Sequence, residues 1–239
     1  MNVHIIIPAR LGSTRLKNKM LKKILGKTLI EHMCERALKL NFKNLVVATD
    51  SKEIIETVAK YNINTYFSSK KFNNGTERIR DYLIKKNIPG NDIIINIQGD
   101  ELNFSLVTVR KMINFLKKNR SYEIITPIYR APSPSVFNDP NNVKVTINSK
   151  LDAISFTRSQ VPYKSYKESY IHIGIYGYKA SIIKKYNTLK KCYYESVENL
   201  EQLRFVYNMI PIKCICVKNN HSFSINSKKD LISAERFFK

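Results

Sequence analysis

Two short apolar runs constrain this chain most: Val3-His4-Ile5-Ile6-Ile7 and Asp92-Ile93-Ile94-Ile95-Asn96-Ile97-Gln98. Neither alternates with polar residues. A strand wetted on one face alternates, whereas a strand buried on both faces reads as a continuous run, and such strands belong to parallel sheets covered by helices. The intervening residues supply those helices. Over 28–40 the apolar positions Leu29, Ile30, Met33, Ala37 and Leu38 recur at helical spacing, and Leu45-Val46-Val47-Ala48-Thr49 follows as a second strand, completing a β-α-β unit. The alternation continues with a helix capped by Asp50 or Ser51 and running to about Lys60, a weak strand at 64–67, and helices over 76–86 and 105–118. Pro8 is expected to end the first strand.

After residue 122 strand-like pieces follow one another near 122–129, 143–147, 153–157 and 170–178, as antiparallel additions would. A helix near 195–207, a strand at 212–217 and a helix near 228–238 close the chain. With no internal repeat and no low-complexity linker, the expectation is one α/β domain over 1–239. It has a mainly parallel sheet sandwiched by helices and a β-rich insert near 122–178.

Composition narrows the function classes. Lys and Arg exceed Asp and Glu by 41 to 19, a formal charge of +22. That field attracts anions, whether nucleic acid, anionic lipid or phosphorylated small molecules. Hydrophobic residues at 43% and charged residues at 25% set wholesale disorder aside. No apolar run approaches the roughly 18 residues of a membrane span, and the start Met1-Asn2-Val3-His4 is unlike a signal peptide. Cys34, Cys192, Cys214 and Cys216 lack paired metal-site spacing, so reduced structural thiols in a cytoplasmic protein are expected, with Cys214 and Cys216 on one side of a strand.

In open α/β sheets ligands bind beyond the carboxyl ends of the strands, which directs attention to the loops after Ile7 and Gln98. The first, Pro8-Ala9-Arg10-Leu11-Gly12-Ser13-Thr14-Arg15-Leu16-Lys17-Asn18-Lys19, holds four cations, two hydroxyls and a glycine. It suits a polyphosphate, yet matches neither the dinucleotide fingerprint nor the P-loop; its bland alternative is a solvated basic loop in a Lys-rich chain. The second, Gln98-Gly99-Asp100-Glu101, offers carboxylates suited to magnesium when phosphate completes the shell, or else simply precedes the helix cap at Ser105.

Together with Gly75-Thr76-Glu77-Arg78, Asn142-Val143-Lys144-Val145, the stretch His172 to Tyr178, and Leu200-Glu201-Gln202-Leu203-Arg204, these loops resemble the 3-deoxy-manno-octulosonate cytidylyltransferase (CMP-Kdo synthetase) family. The resemblance runs in order along nearly the whole chain. It implies a nucleotide-diphospho-sugar transferase fold of Rossmann-like type, a cytoplasmic homodimer, and magnesium-dependent joining of CTP and the sugar acid Kdo into CMP-Kdo and pyrophosphate for lipopolysaccharide synthesis.

By the same resemblance Arg10, Lys19 and Asp100 are catalytic, and Pro8, Ala9, Arg10, Ser13, Arg15, Lys19, Gly75 and Arg78 bind the nucleotide. Gln98, Arg158, His172, Tyr176, Glu201 and Gln202 form the sugar-acid pocket, and Asp100 and Asn226 ligate magnesium. Taken singly, several have plainer readings. His172 would be a structural histidine, Tyr176 a half-buried strand aromatic, Glu201 part of a solvated helix face, and Arg78 a surface ion pair.

The chain departs from the family pattern at Asn226, where an aspartate is usual; an amide ligates magnesium without contributing charge. Lys17-Asn18 replaces Pro-Gly, Leu102 replaces a proline, and Phe72 stands where histidine is common. Such drift keeps a related acid, such as an 8-amino octulosonate, and a weakened CTP-binding paralogue as alternatives. A nucleic-acid-binding role is disfavoured: the basic pairs are scattered, no recognised motif is present, and the loop at Asp100 and Glu101 repels phosphate unless metal intervenes.

Overall fold

The computed structural model describes residues 1–12, 16–163, 165–218, 222–225 and 227–238. Its first half is built as the patterning requires. β1 (Val3–Ala9) leads through a 3-10 turn at Lys19–Leu21 and a small hairpin, β2 (Lys23–Ile24) and β3 (Lys27–Thr28), into α1 (Leu29–Leu38). Then come β4 (Asn44–Thr49), α2 (Lys52–Ala59), β5 (Asn64–Phe67), α3 (Gly75–Lys85), β6 (Ile93–Ile97), the short β7 (Glu101–Leu102) and α4 (Leu106–Lys118). Each helix start has a local cause. Thr28 and Glu31 form a reciprocal capping box, and Ser51, Asn74 and Ser105 accept the backbone N–H three residues on.

The second half contains β8 (Ile124–Arg130), α5 (Pro134–Asn138), β9 (Lys144–Ile147), β10 (Ala153–Thr157), β11 (Tyr170–His172) and β12 (Ile175–Lys179). It closes with α6 (Ala180–Lys184), α7 (Tyr193–Glu198), α8 (Leu203–Tyr207), β13 (Ile212–Val217), β14 (Phe223–Ser224) and α9 (Lys228–Phe238).

Ten of the described strands share one sheet, ordered β10-β9-β11-β8-β12-β6-β1-β4-β5, with β13 also on β8. The β6-β1-β4-β5 portion is parallel; β8 to β12 extend it with antiparallel pairings, while β13 runs parallel to β8. β12 is the seam, antiparallel to β6 on one side and β8 on the other. Gly177 belongs there, because a Cβ would lie 2.7 Å from Ile125 Cγ2. Ile5 and Ile7 pack with α1 and α4 into one core, Ile6 with α3 and α6 into another, which is why the first strand is apolar without alternation.

Three expectations are corrected. Pro8 lies inside β1, because pairing to β6 ends at Ile6 while pairing to β4 continues to Ala9, so its missing N–H falls where one ladder has already opened. The strand expected over 170–178 breaks between β11 and β12. The helix expected over 195–207 breaks at Asn199, which adopts a left-handed conformation (φ 53°) that asparagine tolerates. Cys214 and Cys216 lie two residues apart on β13, as the alternation leads one to expect; Cys214 is buried, its thiol pushed up to about 12 by burial, and Cys216 is exposed.

Candidate active site

A cleft of about 960 Å³ opens beyond the carboxyl ends of β1 and β6 and is bordered by the breaks at Gly174 and Asn199. Part of its lining is cationic. Arg10 follows β1 directly and is exposed to the cleft. Lys19, on the 3-10 turn, points its Nζ at Asp100 Oδ2, 2.5 Å away. The turn after β6 can pass this closely only without a side chain, since a Cβ on Gly99 would lie 2.9 Å from the Pro8 carbonyl oxygen. Gly75 opens α3 against the Pro8 ring.

Arg78 combines the ion-pair and site readings. It is 3% exposed, borders the cleft, pairs with Asp50 at 2.7 Å and lies over the Phe72 ring at 5.1 Å. Asp50 also accepts the Leu11 N–H at 3.1 Å, so one carboxylate ties the basic loop to α3. Phe72, at the position where the resemblance expects histidine, thus supplies an apolar face for a guanidinium. Ala9 is buried within β1 and does not border the cleft. Ser13, Arg15 and Asn226 lie outside the described residues.

The remaining expected site residues, Gln98, Arg158, His172, Glu201 and Gln202, also border the cleft. Gln98 and Gln202 border it with side-chain amides that have no protein partner among the described residues; Gln202 is 3% exposed. Arg158 is held by its Nε to the Glu198 carbonyl (2.7 Å) and by Nη1 to the Pro140 carbonyl (3.0 Å). Its own carbonyl accepts from the buried Lys144 ammonium at 3.0 Å. Burial holds the His172 imidazole down at about 3, so it is neutral at physiological pH.

Glu201 follows the break after α7 and accepts the Thr76 N–H at 3.2 Å; burial raises its carboxyl above the usual range. The break is braced by a buried fork, in which Arg204 Nε and Nη2 reach the two Glu195 oxygens at 2.9 and 2.6 Å. An unbroken helix would carry Glu201 along its own face; the turn instead brings Glu201 and Gln202 to the cleft.

The sugar-pocket expectation needs one correction. Tyr176 is fully buried and does not border the cleft; its ring packs 4.9 Å from His172 and 5.5 Å from Tyr178. The side-chain alternation of β12 turns Tyr176 and Tyr178 into the core, where Tyr176 supports the histidine from behind.

Of the loop's two carboxylates, Glu101 is 3% exposed and pushed up by burial; it accepts from Ser224 at 2.9 Å and the Gly174 N–H at 3.2 Å. Both border the cleft, and Asp100 is the more exposed of the two. No cluster of three His, Cys, Asp or Glu ligands exists among the described residues. A single partly exposed carboxylate such as Asp100 would be compatible with magnesium where substrate phosphates complete the shell.

Sequence reasoning missed Asn96, whose fully buried side chain borders the cleft. The signal was present: a polar residue interrupts an otherwise apolar strand.

Comparisons with known proteins agree with this geometry. The family model described as cytidylyltransferase matches residues 4–213. The 3-deoxy-manno-octulosonate cytidylyltransferase of Rickettsia canadensis is 36% identical over 100% of this chain and 96% of its own length. That of Fusobacterium nucleatum is 37% identical over 98% and 96%. A solved CMP:2-keto-3-deoxy-manno-octonic acid synthetase complexed with CTP superposes with a TM-score of 0.89, at 29% identity over 100% of this chain and 98% of that one. A putative glucose-1-phosphate thymidylyltransferase from Bacillus anthracis, at 16% identity and a TM-score of 0.68 over 98% and 94%, shares the fold. With the loops, the sheet and the cleft all accounted for, the chain belongs to the cytidylyltransferase family, among its 3-deoxy-manno-octulosonate cytidylyltransferases.

Proposed function

We propose that this enzyme transfers the cytidylyl group of CTP to Kdo, releasing pyrophosphate and yielding CMP-Kdo for lipopolysaccharide synthesis. The observation that carries this reading is one cleft with two chemically different sets of lining residues. Arg10, Lys19 and Asp100 make up one set, and Gln98, Arg158, His172, Glu201 and Gln202 the other. The first suits a triphosphate, and the second suits a polyhydroxylated acid, with Arg158 as its fixed cation.

In the reaction the anomeric hydroxyl oxygen of the sugar forms a bond to the α-phosphorus and gives up its proton to solvent, while the bond from that phosphorus to the bridging oxygen of pyrophosphate breaks and the electron pair leaves with pyrophosphate. Arg10 and Lys19 neutralise phosphate oxygens whose charge grows along that path. Asp100 and, by the resemblance, Asn226 would hold a magnesium ion together with the triphosphate, and that ion would supply additional charge neutralisation. Gln98, Gln202 and Glu201 orient the sugar so that its hydroxyl faces phosphorus, which is the larger part of catalysing a phosphoryl transfer. The family relationship also supports a cytoplasmic homodimer, and no described helix is long and apolar enough to cross a membrane.

The test is pyrophosphate release with magnesium and each of the four nucleoside triphosphates, with and without Kdo. Release that needs both CTP and Kdo is expected. Release with an amino-substituted octulosonate instead of Kdo would reassign the acid, and absence of nucleotide binding by folded protein would overturn the reading.

A further inference from the structure

Behind His172 lies a hydroxyl that the cleft does not reach. Thr126, on β8, is fully buried; its Oγ1 donates to the Ile175 carbonyl at 2.8 Å and stands 3.0 Å from His172 Nε2. A threonine hydroxyl carries one proton. With that proton committed to the carbonyl, Oγ1 meets the imidazole as an acceptor, so Nε2 must carry the N–H. The reverse arrangement would aim the hydroxyl proton at Nε2 and leave two oxygens facing each other at 2.8 Å without a hydrogen between them.

Burial keeps the ring neutral, with an apparent pKa of about 3, and a neutral imidazole that donates at one nitrogen accepts at the other. Nδ1 has no partner among the described residues, is not among the buried unpartnered atoms, and belongs to a side chain that borders the cleft.

We propose that Thr126 is a positioning residue that locks His172 in the Nε2–H tautomer, so that Nδ1 accepts a hydrogen bond from a substrate hydroxyl. A lone pair at that point repels a carboxylate or phosphate oxygen, which directs the acid group of the substrate away from His172 and towards a cation such as Arg158. The substrate class read there is a hydroxyl donor, and an analogue lacking that hydroxyl leaves Nδ1 unpaired. The assignment of this wall to the sugar acid rests on the cytidylyl-transfer reading; the tautomer does not.

The experiment uses the full chain with 15N-labelled histidine. A two-bond 1H–15N correlation spectrum at neutral pH, with His172→Gln to identify the resonances, reports which nitrogen carries the proton. Nε2–H is expected in the wild type. Thr126→Val should abolish the single tautomer and raise the KM for the sugar acid about tenfold, with the KM for CTP unchanged, and Thr126→Ser should restore both. An Nδ1–H tautomer in the wild type overturns the proposal even if Thr126→Val fails to fold. So does a folded Thr126→Val with unaltered spectrum and sugar-acid KM. If the wild type does not turn over Kdo, the cytidylyl reading falls, while the spectrum still decides the role of Thr126.

Discussion

Next to β1, Arg10 and Lys19 face the cleft from partly solvated positions, with Asp100 2.5 Å from the Lys19 ammonium. Beside the junction of β11 and β12, burial works against charge instead: the His172 imidazole is held neutral and the Glu101 and Glu201 carboxyls are pushed upward. In the first region Asp100 is partly exposed and has the Lys19 ammonium at hand. The second has given up that solvation, so it discriminates by donor and acceptor geometry. A ligand carrying a concentrated charge at one end and many hydroxyls at the other matches both.

The largest effect expected from separating the two regions is at Asp100. Asp100→Asn keeps the side-chain size and removes the charge, and should lower kcat about 10³-fold with the fold intact, measured by pyrophosphate release and far-UV circular dichroism. Wild-type turnover would remove Asp100 from the catalytic side.

Next is the brace of the neutral side. Arg204→Ala leaves Glu195 buried without its cation and should cost about 3 kcal/mol in urea unfolding. Because the brace holds the turn that carries Glu201 and Gln202, the KM for the sugar acid should rise more than that for CTP. Equal changes in both would show that the two regions do not divide the substrates as assigned.

A smaller effect distinguishes the regions by pH. The folded-state pKa of His172 lies below that of a free imidazole, so the unfolded chain binds more protons as pH falls from about 6.5 towards 3. The stability contributed by neutral His172 is therefore present above that window and lost within it as pH falls. The raised carboxyls at Glu101 and Glu201 have the opposite slope: they contribute stability below the ordinary carboxyl pKa and lose it as pH rises through their folded values. His172→Gln should flatten the acid limb of the melting temperature against pH. An unchanged limb would remove the assignment of a depressed histidine. Smallest, Asn226→Asp should tighten the magnesium requirement about tenfold with little change in the KM for the sugar acid; an unchanged requirement would show that position 226 does not tune the metal.

The same division shows in what could be read beforehand. The parallel half was legible because its signals are local: uninterrupted Val3–Ile7 and Ile93–Ile97, and a Thr28–Glu31 capping box three residues apart. The cationic residues were legible because they cluster in one loop after a strand. The neutral wall was less so, because its geometry depends on breaks set by distant partners. Nothing local in Glu195 to Tyr207 announces that an Arg204–Glu195 fork will hold two short helices apart at Asn199. Nothing local in His172 to Tyr178 shows that Gly174 will meet the carboxylate of Glu101, 73 residues earlier. Tyr176 fails for the same reason, since periodicity says which residues share a face but not which face a later break turns outward.

β12 has a mechanical consequence. Because it is bonded to β6 on one edge and β8 on the other, the strands beneath both sides of the cleft form one continuous plate, with Gly177 seated against Ile125 along the join. Such a plate has no line about which two lobes could swing together. Bringing an alcohol oxygen to phosphorus on this scaffold is then a matter of fixed placement, as on a jig, with any adjustment left to the loops along its rim.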